Sequence, residues 1–184
     1  MSKTGLYMLA VMPAPDVTKE IEGMRIQFAE KYHCKAALKP PVHITLIPPF
    51  KSADTIEPII IKEIELLAST QSAFSVSLHN YDVFRENQVV FIHVEPEPPL
   101  WSLQRLLQEK FLTDYSHFNI KTFKNFAPHI TIGYRDIPRE VFRAAAIEYL
   151  AKPYSATFPV NEFYLWKHNS VNWQVLYTFH LKQP

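Results

Sequence analysis

The sequence predicts an α+β fold of two pseudo-symmetric lobes, each with an antiparallel sheet and flanking helices, and a cleft between the lobes. Segments with the two-residue period of strands alternate with segments that have the 3.6-residue period of helices. After one opening strand, the order helix, loop, strand, helix, strand, strand occurs twice. A repeat of this kind is typical of two similar units that face each other. Because no linker separates the halves, we expect a single domain over residues 1–184.

The opening strand and the first helix have clear patterns. Residues 6–12 are apolar on both alternating faces, which fits a central strand. Asp16 or Thr18 should cap the helix that follows, since both side chains accept hydrogen bonds from backbone N–H groups. We expect this helix to end near residue 31. Its predicted buried stripe consists of Ile21, Met24 and Phe28.

The rest of the first half continues the order. A short strand is predicted at residues 42–47. The pair Pro48-Pro49 should end this strand, because proline cannot donate a hydrogen bond to a sheet. A helix with one apolar face opens at Asp54. The half closes with a hairpin predicted at residues 74–84 and 89–94.

The second half repeats these elements. Its predicted helices cover residues 100–111 and 139–150, and a predicted strand at residues 127–134 lies between them. Two further strands, at residues 157–166 and 173–181, end the chain. A basic loop precedes the short strand of each half. The two short strands therefore occupy equivalent positions of the repeat.

Composition excludes several classes of function. The chain has 184 residues, a formal net charge of +1 and 47% hydrophobic residues. These values exclude a disordered tail and argue against a protein that holds long duplex DNA by neutralising its phosphates. The three glycines, Gly5, Gly23 and Gly133, form no glycine-rich phosphate loop. A phosphate site in this chain must therefore consist of side chains.

The expected location is the cytoplasm. Cys34 is the one cysteine, so no disulfide forms within the chain and secretion is not implied. Its neighbour His33 raises the alternative of a nucleophilic pair, but we expect Cys34 to be a semi-buried structural residue. Residues 6–12 are too few to span a membrane, and charged residues follow where a signal peptide would be cleaved. We expect a soluble, cytoplasmic monomer.

Two copies of one tripeptide lie on the equivalent short strands. They are His43-Ile44-Thr45, followed by Leu46, and His129-Ile130-Thr131, followed by Ile132. A random order of the same residues would give His-Ile-Thr about 0.04 times. Two copies at equivalent positions therefore indicate a shared role.

The spacing brings reactive groups to one side of each strand. Residues two apart on a strand share a face, so His43 and Thr45 point together, as do His129 and Thr131. Pseudo-symmetry would then bring two imidazoles and two hydroxyls into one cleft. A neutral imidazole can act as a base and a protonated one as an acid, while hydroxyls donate to anionic oxygens. This quartet suits in-line displacement at phosphorus.

The motifs resemble those of a known family. Two His-x-Thr-x motifs about half a chain apart are similar to the two-histidine phosphoesterase superfamily. That superfamily includes the 2′-5′ RNA ligase-like proteins and the 2′,3′-cyclic nucleotide phosphodiesterases. Residues 43–50, His-Ile-Thr-Leu-Ile-Pro-Pro-Phe, resemble the first motif of the RNA ligase-like branch, and residues 128–132, Pro-His-Ile-Thr-Ile, resemble the second. The resemblance covers nearly the whole chain, since the duplicated order matches the bilobal fold of that family.

The resemblance implies a function for the quartet. It implies that these four side chains are catalytic, that no metal or other cofactor is needed, and that the substrate is an RNA terminus or a small nucleotide. The bond attacked would be a 2′,3′-cyclic phosphate or a 2′-5′ phosphodiester. Many members have arginine five residues after the second histidine, where this chain has Tyr134. We expect Tyr134 to take that place, because Arg135 on a continuing strand would point to the other face.

Substrate-binding residues are predicted around the two motifs. Basic and aromatic residues interleave before the second motif, and lysines precede the first, a pattern that suits a phosphate and a stacked base. We expect Lys39 and Lys124 to bind phosphate. Phe50 is the expected stacking residue, because it comes just after a site strand.

Two alternatives stay open at the level of sequence. A non-catalytic nucleotide-binding module of the same fold would keep the cleft but not turn over substrate. A metal-dependent hydrolase using His93 or His117 is the other, although no pair of histidines has the spacing of a known metal motif.

Overall fold

The computed structural model describes residues 3–118 and 120–183, so residues 1, 2, 119 and 184 of the predicted domain lie outside it. The described residues form two four-stranded antiparallel sheets and four α-helices, which confirms the predicted α+β class. The strands are β1 Thr4–Val11, β2 Ile44–Ala53, β3 Phe74–Phe84, β4 Val89–Val94, β5 His129–Gly133, β6 Ser155–Val160, β7 Glu162–His168 and β8 Trp173–His180. The helices are α1 Pro15–Tyr32, α2 Glu57–Ala68, α3 Pro98–Asp114 and α4 Arg139–Leu150. None of these helices is long and apolar enough to cross a membrane.

Each sheet takes strands from both halves of the sequence. The first sheet has the order β2-β1-β7-β8, and the second has the order β5-β4-β3-β6. The units β1-α1-β2-α2 and β4-α3-β5-α4 are the two copies of the repeat. After the first unit the chain crosses over, because β3 pairs with β4, and later β7 returns to pair with β1. Helices cross as well, since α1 packs against β5 and α3 against β2. The lobes are therefore not the consecutive halves of the chain.

The two motif strands, β2 and β5, lie at sheet edges. The prediction that Pro48 and Pro49 end the first of them is wrong, because β2 continues to Ala53. Opposite Met8, β2 has one residue more than β1, and this β-bulge contains both prolines. An edge strand tolerates them because one side of its backbone has no partner in the sheet.

The start of α1 also differs from the prediction. The residue before the helix is Ala14, and no side chain in the described part of the chain caps the helix. The Thr18 hydroxyl instead donates to the Pro13 carbonyl at 2.9 Å. Pro15 occupies the first turn, where its missing N–H costs little because the first helical N–H groups have no partner within the helix. Asp16 and Thr18 therefore lie inside the helix and do not cap it.

The segment predicted as one strand at residues 157–166 is two strands. β6 pairs with β3 in the second sheet, whereas β7 pairs with β1 in the first. The chain changes sheets at Asn161. Phe158 and Val160 are buried before it, and Phe163, Leu165 and the neighbouring Trp166 are buried after it. The alternation of buried and exposed residues thus shifts by one position where the chain changes sheets. This shift is the feature of the sequence that indicates two strands.

Helix α1 packs closely against β5, the strand that carries the second motif. Phe28 of α1 is fully buried, and a Cβ on residue 133 would overlap its ring. Gly133 therefore lets the helix approach the strand that carries the second motif. Arg25 lies about one turn before Phe28 on the same helix, so this packing also places Arg25.

Candidate active site

A cavity of about 530 Å³ is lined by residues of both sheets. His43 and Thr45 line it from the first sheet, and His129 and Thr131 line it from the second. The structure thus brings together the four side chains that the sequence singles out. Small-molecule sites commonly have volumes of roughly 300–1,000 Å³, so this cavity has room for a ligand of nucleotide size.

Strand alternation sets which side chains reach the cavity. In each motif the histidine and the threonine are half-buried, whereas the isoleucine between them and the residue after the threonine are at most 1% exposed. Burial of each such aliphatic side chain is worth about 1.5–3 kcal/mol. The core-facing residues therefore hold both motif strands in the register that turns the polar side chains to the cavity.

Backbone carbonyls orient both imidazole rings in the same way. The Nδ1–H of His43 donates to the Pro41 carbonyl at 2.8 Å, and that of His129 donates to the Ala127 carbonyl at 2.8 Å. A carbonyl oxygen can only accept, so in each neutral ring Nδ1 carries the proton and Nε2 has the free lone pair. Each histidine thus has the tautomer that a general base requires at Nε2.

The surroundings favour the neutral form of both rings. Burial lowers the pKa of His43 to about 4, against the hydrogen bond to Pro41, and the positive charges of Arg25 and His129 lower it further. Burial also lowers the pKa of His129, against its hydrogen bond to Ala127. A bound anion would raise both pKa values, because it stabilises the charged imidazolium.

Three cationic side chains line the same cavity: Arg25, Lys39 and Arg135. Of the described residues that line it, none is acidic. The whole chain has 19 basic and 18 acidic residues, so this local excess of positive charge does not follow from composition. Such a cavity attracts anions. Lys39, which the sequence predicts as a phosphate-binding residue, thus lines the same cavity as the first motif.

Tyr134 and Arg135 both line the cavity. The expectation that Arg135 points to the other face is wrong, because β5 ends at Gly133 and does not continue. Arg135 has a left-handed backbone conformation, with φ at 67°. This turn brings its guanidinium over the Tyr134 ring, 5.3 Å from the ring centre. An arginine thus reaches the cavity from the loop after the second motif.

Phe50 lies in the core and not in the cavity, so its predicted role as a stacking residue is wrong. It is 3% exposed and packs between the rings of Tyr7, Phe111 and Phe118. Its strand turns this side chain toward α3, where burial of a large aromatic ring is favourable.

The core position of Phe50 leads to a stability prediction. We expect Phe50→Ala to lower the free energy of unfolding by about 3–5 kcal/mol, because it leaves a cavity among three aromatic rings. Phe50→Leu should cost less and leave ligand affinity unchanged. Chemical denaturation of both variants measures the first effect. Unchanged stability together with weaker nucleotide binding would instead show that the ring serves the ligand.

Lys124 is placed away from the quartet. It is exposed and lines a separate cavity of about 350 Å³ with Trp101 and Phe126. The loop before the second motif therefore does not direct this lysine toward the motif histidines, in contrast to Lys39 in the first half.

Among the residues that line the cavity without a counterpart in the sequence predictions, Arg25, His168 and Trp173 carry charged or aromatic side chains. Arg25 comes four residues after Ile21 and three before Phe28, so it lies on the apolar stripe of α1. A charged residue at a position where the helix is otherwise apolar is the sequence feature that could have identified Arg25 as a site residue. His168 and Trp173 flank the β7–β8 turn, with ring centres 5.2 Å apart. Only the pairing of β7 with β1 brings them to the site.

Other candidate chemistry is not supported by the geometry. Cys34 is 2% exposed, and burial raises the pKa of its thiol to about 11, so it is not an activated nucleophile. His93 and His117 do not line the motif cavity. Within residues 3–118 and 120–183, no group of three or more His, Cys, Asp or Glu side chains is arranged to hold a metal ion.

Comparison with protein families and curated proteins finds relatives over most of the chain. The family model described as the 2′-5′ RNA ligase superfamily matches residues 13–172. A Bacillus mycoides (strain KBAB4) protein that carries the name "Putative phosphoesterase" is 26% identical over 175 residues, which cover 94% of this chain and 95% of that protein. A Bacillus cereus (strain AH187) protein of the same description is 29% identical over 126 residues, covering 68% of this chain and 67% of that protein.

Solved structures share the fold over almost the full length. TT0787 of Thermus thermophilus has a TM-score of 0.72 at 19% identity, covering 97% of this chain and 98% of that one. LigT of E. coli in its apo form has a TM-score of 0.66 at 18% identity, covering 99% and 100%. LigT complexed with 3′-AMP has a TM-score of 0.63 at 18% identity, covering 98% and 100%. At these identities the likeness concerns the fold.

Proposed function

The chain belongs to the 2′-5′ RNA ligase superfamily, and from this premise we propose that it is a phosphoesterase that works without a metal ion. Its proposed substrates are 2′,3′-cyclic phosphates, or the related 2′-5′ phosphodiester bonds, at RNA termini or on small nucleotides. One observation carries the proposal: the cavity combines two His-Thr pairs with three cations, and no acidic side chain among the described residues lines it.

The quartet supplies every group that hydrolysis of a cyclic phosphate needs. A water molecule attacks phosphorus opposite the leaving ribose oxygen, and one imidazole Nε2 takes a proton from the water as the new P–O bond forms. The second imidazole, in its protonated form, donates a proton to the ribose oxygen as the old P–O bond breaks. The product is a phosphomonoester beside a free ribose hydroxyl. Proton exchange with solvent then restores both rings.

The surroundings of the two rings differ, and the difference supports distinct roles for them. The fixed charge of Arg25 adds to burial in keeping His43 neutral. No such cation contributes to the lowered pKa of His129. We therefore assign the base to His43 and the acid to His129. The hydroxyls of Thr45 and Thr131 donate to the non-bridging oxygens, where negative charge grows in the transition state.

A nucleotide as the ligand is supported by the relatives as well as by the cavity. E. coli LigT, which shares this fold, has been crystallised with 3′-AMP. In this chain Trp173 lines the cavity and is half-buried, so part of its indole is open to a planar base. Phosphate at the quartet and a base near Trp173 would account for both the polar and the aromatic side chains.

Turnover of adenosine 2′,3′-cyclic phosphate by the purified protein, with and without excess EDTA, tests the proposed function. We expect equal turnover in both conditions, with one adenosine monophosphate formed for each cyclic phosphate consumed. Loss of turnover in EDTA would show a metal-dependent hydrolase. Binding of the nucleotide without turnover would show a binding module.

The lowered pKa values of the two histidines predict an acidic pH optimum. As pH falls through the pKa of His43, about 4, the base becomes protonated and kcat/KM falls. As pH rises through the pKa of His129, which burial holds below its ordinary 6.5, the acid loses its proton and kcat/KM falls again. We expect a maximum between these limits in kcat/KM measured from about pH 3.5 to 9. A value that still rises above neutral pH would contradict these roles.

A further inference from the structure

Arg25 is a buried cation that none of the described residues pairs with directly. Burial lowers its pKa, and the charge of Glu22, which is exposed on the same helix, only partly offsets this. Arg25 is 4% exposed, and its Nε has no hydrogen-bond partner in the described part of the chain. One terminal nitrogen donates to the Pro40 carbonyl at 2.8 Å. None of the ion pairs among the described residues includes Arg25. A buried guanidinium in this state is unfavourable unless a ligand supplies the anion.

The repeat shows that the charge is not needed to hold the loop. Arg25 lies on α1 and bonds the loop before the first motif, 15 residues further on. Gln108 is the eleventh residue of α3, as Arg25 is of α1, and it bonds the backbone of Phe123 before the second motif, also 15 residues further on. Its amide both donates to and accepts from that backbone. A neutral side chain thus holds the loop in one copy of the repeat. The positive charge in the other copy therefore needs an explanation other than holding the loop.

Arg25 lies where two cavities meet. A second cavity of about 440 Å³ adjoins the one that holds the quartet, and the two share Arg25, Lys39, Pro40, Pro41 and Trp173. Glu22 also lines the second cavity and is exposed at its rim. Both shared charged residues are therefore cations. A ligand bound at the quartet can extend past them into the second cavity.

We propose that Arg25 and Lys39 form a second phosphate subsite, which binds the phosphate on the 5′ oxygen of the nucleotide whose 2′ or 3′ phosphate lies at the quartet. The inference rests on the proposed function for the position of that first phosphate. In a nucleotide the 5′ oxygen projects from the ribose away from the 2′ and 3′ oxygens, so one ligand can reach both subsites. Arginine suits this task because its guanidinium presents several donors to phosphate oxygens. The preferred substrate class is then a nucleotide with phosphate at both ends.

Calorimetry with matched nucleotides tests the subsite without depending on turnover. We expect adenosine 3′,5′-bisphosphate to bind at least about 10-fold more tightly than 3′-AMP, the scale of one charge-assisted contact. Arg25→Gln should reduce this ratio to within about twofold. The variant should fold, because glutamine offers an amide donor of the kind with which Gln108 bonds the loop of the other copy. Arg25→Lys should keep part of the ratio, and Lys39→Gln should lower it.

Lys35→Gln is the control, because it removes an equal charge from the same loop at a residue that lines neither cavity. It should keep the full ratio. Equal affinities for the two nucleotides in the wild type, or a ratio that Arg25→Gln leaves unchanged, would overturn the subsite. The 3′-phosphorylated dinucleotide ApAp distinguishes the two sources of a 5′ phosphate. Affinity equal to that of the bisphosphate shows that an internucleotide phosphate is accepted, and weaker affinity shows a terminal monoester.

Turnover of adenosine 2′,3′-cyclic phosphate by the same preparation separates the two claims. Turnover without a bisphosphate preference would leave the proposed function intact and remove the subsite. A preference that Arg25→Gln abolishes, without turnover, would establish the subsite and remove the proposed reaction.

Discussion

Replacing either His43 or His129 with alanine lowers kcat/KM for adenosine 2′,3′-cyclic phosphate by about 10²–10⁴-fold, the usual contribution of a positioned acid or base. Each ring is held at Nδ1 by a backbone carbonyl, which fixes the position of its Nε2, and alanine removes that nitrogen. Steady-state kinetics of the two single variants measure the effect. The double variant should lose little more than the worse single variant, because acid and base act in one step.

His79→Ala is the matched control for these variants. His79 is exposed on β3 and does not line the cavity, so its loss should leave kcat/KM within about twofold of the wild type. Circular dichroism of all the variants checks that the fold is kept. Full activity in either His43→Ala or His129→Ala would remove that ring from the mechanism.

Replacing Thr45 or Thr131 with valine lowers kcat by about 10²–10³-fold while KM changes little. Valine keeps the shape and the strand preference of threonine but removes the hydroxyl donor. The lost hydrogen bond is strongest in the transition state, where charge on the non-bridging oxygens is greatest, so the effect falls on kcat. Single-turnover kinetics at saturating substrate measure it directly.

Three further variants distinguish loss of the hydroxyl donor from a change in the packing of the strand. Thr45→Ser and Thr131→Ser restore the donor and should recover most of the lost rate. Thr157→Val makes the same chemical change at an exposed position of β6 and should leave kcat unchanged. Unchanged kcat in the valine variants, together with a loss in the serine variants, would show that the methyl group matters through packing and that the hydroxyl does not contribute.

The sequence was sufficient to predict the parts of the site that depend on local periodicity. His43 comes directly before β2 and Thr45 is its second residue. The isoleucine between them is fully buried, so the alternation of extended backbone turns both polar side chains to one face. In the second motif, His129 and Thr131 are likewise two residues apart, and the isoleucine between them is buried. Their meeting in one cavity followed from the repeat, since equivalent strands of two similar units can face each other.

Residues placed by tertiary structure were not predictable in this way. Arg135 reaches the cavity because β5 ends early and the chain turns with a positive φ. Trp173 reaches it because β7, which precedes its hairpin turn, pairs with a strand about 160 residues earlier in the chain. Neither a strand end nor a long-range pairing has a reliable local signal.

Arg25 is an intermediate case. Its position on the apolar stripe of α1 is visible in the sequence, yet a single charged residue on such a stripe has several explanations. Only the comparison with Gln108 in the other copy separates the structural contact from the unpaired charge. Pro48 and Pro49 show the reverse problem, because proline usually ends a strand, but here an edge position and a bulge accommodate both.

A crystal structure of the protein with bound 3′-AMP tests the central claim most directly. We expect the phosphate to lie within hydrogen-bond distance of Nε2 of His43 and His129 and of Oγ1 of Thr45 and Thr131. The Nδ1 atoms should keep their bonds to the Pro41 and Ala127 carbonyls. A phosphate bound elsewhere, for example in the cavity beside Lys124, or one that contacts only one of the two motifs, would contradict a shared active site.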